Sequence, residues 1–380
     1  MSSNNETLKK SDDKNYETLF KAYKKERTNA LKFYKKSLNL QKNLDSNKKE
    51  KKLFIDKKNK YQKEKGKITK PPILNKLKKG QFDDLVIAIK TPISTEQHNE
   101  EEYLFALNLK DALEKIGFNV LLHERENWYC DVETDISIVL RGAYEYEPDL
   151  DEINVMWNIT HPTKVCDEEL EKFDIVFIAS QSHSKRINDK IDTTVLPLLP
   201  CTNPDMFYRY EDYRCYDDLL FISNSRSDFT EIIKDIIKNG NSPAVYGSNW
   251  EKFIDEKYIK AQHIDSDNLY RHYSSCKIFL NVHGGNMEKL DFPSVRMFDA
   301  LACGAFIICD NLASVESLFG GNVVRYEDTK DLEEKIEFYL KNEDKRRVMG
   351  EKGRELVLSK HTFDERVKII VDSLRELKIE

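Results

Sequence analysis

The sequence predicts an α/β protein of two doubly wound, Rossmann-like domains facing each other across a cleft, behind a basic helical extension. Three observations carry this. Short β-branched runs alternate with helical patterns from Leu85 onward; the alternation stops around Pro197, Pro200 and Pro204 and then starts again. The charge also changes sign near Gly80: Met1 to Gly80 holds 25 Lys or Arg against 9 acids, whereas the remainder holds 36 against 58. The expected organisation is a basic helical extension over 1–80, a first Rossmann-like domain over 81–203, a second Rossmann-like domain over 204–361, and a helix over 362–380 packing back across the junction.

In the extension, Tyr16 to Leu44 contains no Gly or Pro, and Tyr16, Leu19, Phe20, Tyr23, Ala30, Leu31, Tyr34 and Leu38 recur at spacings of three and four. Lysines cover the other faces until Gly66, Pro71 and Pro72 break the pattern. Residues 16–65 therefore suit self-association, packing on the body of the protein, or peripheral contact with an anionic membrane. Nucleic acid is not expected as a partner, because no base-reading module is present and the body is acidic. No run approaches the roughly 20 apolar residues that span a bilayer, and the N-terminus lacks a secretory apolar stretch. The expected location is cytoplasmic, with the inner membrane face as a peripheral site. Seven scattered cysteines without a C-x-x-C pair read as reduced core thiols.

The first domain is expected to carry strands at Leu85 to Ile89, Ile136 to Leu140, Ile153 to Trp157 and Ile175 to Ala179, with a helix from Tyr103 to Ile116 ended by Gly117. The second carries Leu219 to Ile222, Ala244 to Tyr246, Ile278 to Val282, Phe306 to Cys309 and Val323 to Val324. The last helix opens at Thr362 with Glu365 as a capping box.

Phe279 to Asp310 holds the clearest chemistry. It reads as strand, Gly-containing loop, helix, Gly, strand, with Pro293 and Ser294 immediately before the helical run from Val295. First-turn N–H groups have no intrahelical partner, so such an end suits a phosphate. Arg296 in that turn is placed to clamp a diphosphate, and Asp299 one turn on to accept ribose hydroxyls. An ordinary crossover with Arg296 in an ion pair fits the same pattern.

ALACGAFIICD resembles the donor-binding helix and strand of family 4 glycosyltransferases and of CgeB-like glycosyltransferases. DISIVLRGAYEY, VMWNITHPTKVCDEELEKFDIVFIAS, LLFISNSR, AVYGSNWEKFI, LYRHYSSCKIFLNVHGGNM, SVRMFDALACGAFIICD and KHTFDER resemble the CgeB-like group in the same order, from about Leu85 to the C-terminus. The resemblance implies the GT-B fold and a nucleotide-sugar donor of UDP or dTDP type held by the second domain. It implies an acceptor facing the first domain, with a surface glycan, glycolipid or glycoprotein as the acceptor class.

Carried onto this chain, the resemblance puts Ser223, Asn224 and Arg226 at the diphosphate, with Ser223 standing where the family has Gly. Tyr246, Gly247, Ser248 and Trp250 fall along the nucleotide; His283, Gly284, Pro293, Ser294, Val295, Arg296 and Asp299 complete the donor side. His161 matches the family's Ser-His-Pro and, with Arg296 and Asp299, forms the expected catalytic set; Glu101, Glu102 and Arg141 are placed on the acceptor side, and Arg141 fits equally a salt bridge. Asp291 and Asp299 reproduce the spacing of the family's two acids, with Asp for Glu. The family's Trp-Gly-Asp followed by His is replaced here by Glu100, Glu101, Glu102 and Leu104, which excludes a catalytic His at that point.

No cofactor and no metal are expected, the arginines and helix end taking the role of magnesium. The acid pairs Asp149/Asp151 and Asp265/Asp267 are too ordinary in a chain with 67 acids to signal a metal. A nucleotide-sugar epimerase, which needs no acceptor, and a non-catalytic scaffold, which needs no tight nucleotide, are the competing classes.

Overall fold

The computed structural model describes residues 70–96, 101–210 and 217–378. The stripe Tyr16 to Leu44, the segment 16–65, Glu100 and Cys215 lie outside those residues. Two six-stranded sheets organise the chain, and every strand pair in them is parallel.

The first sheet contains β1 (Val86–Lys90), β2 (Asn119–His123), β3 (Ile136–Arg141), β4 (Ile153–Asn158), β5 (Ile175–Ile178) and β6 (Thr194–Pro197) in the order β2-β1-β3-β4-β5-β6. β3, β4 and β5 are buried along their whole length, as expected of parallel strands covered on both faces. β6 was not expected from the sequence; it is an edge strand ending on Pro197, where a missing N–H costs no ladder bond.

The second sheet contains β7 (Asp217–Ile222), β8 (Ala244–Tyr246), β9 (Ile259–Ala261), β10 (Cys276–Asn281), β11 (Ile307–Cys309) and β12 (Val323–Arg325) in the order β12-β11-β10-β7-β8-β9. β9, a three-residue edge strand, was also missed. Strand order reverses between β1 and β3 in one sheet and between β7 and β10 in the other. At such reversals the connections leave in opposite directions and open a crevice beyond the carboxyl ends.

The core of the first sheet extends past both expected boundaries. Residues 70–79 are helical, with Pro71 and Pro72 in the first turn, and bury Ile73, Leu74 and Leu77 in the core of the first sheet. From the far end, the helix Phe363–Glu376 returns to this core with Phe363, Val367, Ile370, Val371 and Leu374. Thr362 caps it by accepting the Glu365 N–H at 3.4 Å, and Arg366 holds the crossing by donating to the carbonyls of Leu199 and Pro200 at 2.7 and 3.0 Å. The second sheet buries separate clusters on its two faces, one around Phe298, Leu301 and Phe319, the other around Phe221, Ile233 and Trp250.

Candidate functional site

A cavity of about 550 Å³ opens at the strand-order reversals of the two sheets. The first sheet contributes Leu140, Arg141, Gly142, Thr160 and His161; the second contributes Ser223, Arg226, Val282, His283 and Gly284, with Pro293 to Arg296 behind them. A smaller cavity of about 150 Å³ adjoins it, lined by Asn224, Tyr246, Gly247, Tyr273 and Asp299. Ser223, Glu101, Val295 and Arg296 line both.

The helix Val295–Ala302 points its N-terminus at this region. Ser294 precedes it with extended backbone and makes no capping bond, because its hydroxyl donates to Asn281 Oδ1 at 2.9 Å. The first-turn N–H groups of Val295 and Arg296 therefore keep their anion-binding character. Arg296, in the same turn, donates from Nη1 to the Ile222 carbonyl at 2.6 Å and from Nε to Glu101 at 3.1 Å. Arg226 stands across the cavity with its guanidinium 5.7 Å from the Phe229 ring.

Against this geometry, residues 226–372 match the protein-family model described as "Glycosyl transferase-like". A 170-residue stretch is 23% identical to spore protein CgeB of Bacillus subtilis, covering 40% of this chain and 53% of CgeB, so the chain spans about half the length of the curated relative it matches. Sucrose-phosphate synthase from Thermosynechococcus elongatus superposes with a TM-score of 0.61 at 11% identity, covering 77% of this chain and 99% of that one. Anabaena HepE in complex with UDP-glucose superposes at 0.56 and 10% identity, over 77% and 100%. The chain is similar to CgeB over that 170-residue stretch, and its fold is GT-B.

In this fold several expected site residues also hold structure. Trp250, expected along the nucleotide, is fully buried and donates from Nε1 to the Ser223 carbonyl at 2.7 Å. Arg141 reaches the cavity wall, but its guanidinium is consumed by a buried two-pronged pair with Glu169, at 2.6 and 2.8 Å, and by the carbonyls of Gly142 and Lys164. His283 is buried and braced on both sides: Nδ1 shares a proton with Asp310 at 2.5 Å, and Nε2 accepts the Ser294 N–H at 3.1 Å. It fixes the turn before the helix, at the wall of the large cavity. Asp291, buried and at φ 62°, accepts from the Ser314 N–H at 2.8 Å and from the Ser182 hydroxyl at 3.3 Å, and lines neither cavity, so it is a loop residue and not one of an acid pair. Ser248 also lines neither; its N–H donates to Asn224 Oδ1 at 2.9 Å.

Asp299 lies on the floor of the small cavity, with Oδ1 accepting the Thr202 hydroxyl at 2.7 Å. Burial pushes its carboxyl well above the usual carboxylate range, while the Thr202 hydrogen bond and Arg296 pull the other way. Gly247 sits at φ 145°, and a Cβ there would fall 2.0 Å from the Ser223 carbonyl oxygen. The glycine at 247 is required by this close contact between the turns that follow β7 and β8.

His161 is the sequence candidate the structure leaves open to a substrate. It precedes Pro162 with φ 53° and ψ 47°, a left-handed conformation for a non-glycine residue before proline, and it lines the large cavity with Nδ1 3.1 Å from the Thr160 hydroxyl. Partial burial, then Lys164, Arg226 and Arg141, lower its pKa, so the neutral imidazole is the resting form at neutral pH. Glu101 and Glu102 open the helix Glu101–Lys115 on the same wall.

Three partners were not identified from the sequence: Asp310 for His283, Thr202 for Asp299, and Glu169 for Arg141. Asp310 alone left a signal, as the acid directly after β11. Among the described residues, no three His, Cys, Asp or Glu side chains gather into a metal-binding group, and no helix is long and apolar enough to cross a membrane.

Proposed function

We propose that this chain transfers a sugar from a nucleoside diphosphate sugar, of UDP or dTDP type, to a hydroxyl of a glycan, glycolipid or glycoprotein. The observation that carries the reading is the pairing of Arg226 and Arg296 with the N-terminus of Val295–Ala302 at a cavity of about 550 Å³, large enough for a sugar and the end of an acceptor. The glycosyl-transferase-like match over residues 226–372 and a GT-B neighbour holding UDP-glucose support the same chemistry. The nucleoside then belongs in the smaller cavity beside Asn224, Tyr246 and Gly247.

In this reaction the bond between the anomeric carbon and the diphosphate oxygen breaks, and its electron pair stays on the diphosphate. Arg226, Arg296 and the helix N-terminus meet that charge, so no metal is required in the proposal. The acceptor oxygen bonds to the anomeric carbon and gives up its proton. His161, neutral and on the opposite wall, takes it in an inverting course. If the product retains the donor's anomeric configuration, the proton goes to the departing diphosphate instead.

The test is product analysis of UDP-, dTDP- and GDP-sugars incubated in chelator with crude surface-glycan acceptors. Acceptor-dependent release of the nucleoside diphosphate supports the proposal. Interconversion of sugars without release would assign an epimerase, and no turnover with any donor would assign a scaffold.

A further inference from the structure

Glu101 and Arg296 come from opposite sides of the cleft. Glu101 is the first residue of the helix that follows β1, and Arg296 lies in the first turn of the helix that follows β10. Their side chains meet at 3.1 Å, and both residues line both cavities, so the pair stands in the shared wall between them. With side chains 31% and 37% exposed, the contact can be reached by a ligand from solution, unlike the buried Arg141–Glu169 pair.

We propose that Glu101 is a placeholder for phosphate: its carboxylate holds Arg296 in the empty site, and the diphosphate of the donor displaces it, joining the two cavities into one. This rests on the proposed donor reading. A carboxylate and a phosphate present the same pair of acceptor oxygens to a guanidinium, so one can replace the other without moving the arginine. Arg296 is held independently by the 2.6 Å bond from Nη1 to the Ile222 carbonyl, which keeps its fork aimed while the partner changes.

The exchange favours the ligand on charge, since a diphosphate brings at least two negative charges where Glu101 brings one. Freeing Glu101 is also inexpensive, because it begins its own helix and its carboxylate remains beside that helix's positive end. Asp299 makes no ion pair with Arg296; its Oδ1 is engaged by the Thr202 hydroxyl at 2.7 Å. The pair also keeps the arginine from capturing stray anions when no donor is present. Glu101 is therefore a positioning residue with a cost in affinity.

The experiment is calorimetric titration of inorganic pyrophosphate and of UDP into the full chain, as wild type, Glu101→Gln and Glu102→Gln. Glu102 lies next in the chain and lines the large cavity, so it reports the general effect of removing one negative charge. The expected result is that Glu101→Gln binds both probes about fivefold more tightly, which corresponds to an exposed pair worth about 1 kcal/mol. Glu102→Gln should gain less than Glu101→Gln, because Glu102 supports the charge of Arg296 more weakly than Glu101 does. Equal affinities for wild type and Glu101→Gln, or equal gains in the two variants, would overturn the placeholder while leaving the donor site standing. Failure of both probes to bind any of the three proteins would overturn the donor reading and the placeholder with it.

Discussion

His161 combines a left-handed backbone before proline, access to a cavity, and partial burial beside basic groups that keeps it neutral. If it takes the acceptor proton, His161→Ala should lower kcat by about 10²- to 10⁴-fold while leaving donor affinity nearly unchanged. Protonation removes the base, so kcat/KM should fall as pH drops through the His161 pKa, below the ordinary value of about 6.5. Steady-state kinetics from pH 5 to 8 check this; an unchanged kcat in the variant assigns the proton to the leaving diphosphate.

At the scale of elements, the turn after β7 and the turn after β8 lock together. Gly247 lies against the backbone of Ser223, and Trp250 closes the contact from below with its indole N–H. Gly247→Ala places a methyl where the Ser223 carbonyl already is and demands a backbone conformation that alanine disfavours. The expected cost is about 1–3 kcal/mol by urea denaturation, together with loss of nucleotide binding, because Asn224 and Ser223 must move. A variant with wild-type stability and binding would contradict this account of the turn.

These turns also show what a sequence can disclose. Strand-end positions were legible because buried parallel strands read as runs of Val, Ile, Leu and Phe, and the residue following each run falls at a carboxyl edge. Direction was not. Trp250 and Arg141 both lie beside the cleft, but one turns into the core and the other is claimed by Glu169, 28 residues away, and no local pattern records either choice. β6 and β9 escaped notice because four- and three-residue edge strands carry too few apolar positions to show a period. The helical residues 70–79 were hidden by a basic composition whose three apolar side chains all point inward.

For the whole molecule, the two sheets are joined by the return of Phe363–Glu376 into the first core, so loss of either part should weaken both. Acid should expose this. Burial and Lys90 hold His123 at about 4, and burial and Arg366 hold His361, at the crossing, at about 3, against an ordinary value of 6.5. The unfolded chain binds those protons first, so their stabilising effect is complete above pH 6.5 and is lost as pH falls through these values. Thermal denaturation at constant ionic strength should therefore show Tm falling steadily between pH 6.5 and 4. A flat Tm over that interval would mean that these histidines do not stay neutral in the fold.

The central claim is that a diphosphate binds where Arg226 and the helix N-terminus at Val295 converge. The most direct measurement is calorimetric titration of UDP into wild type and Arg226→Ala, with thermal denaturation confirming that both are folded. The account predicts saturable binding to wild type and a loss of about tenfold or more in the variant, as expected when a charge-assisted pair worth about 1.5–3 kcal/mol is removed. Equal affinity for the two proteins would contradict it.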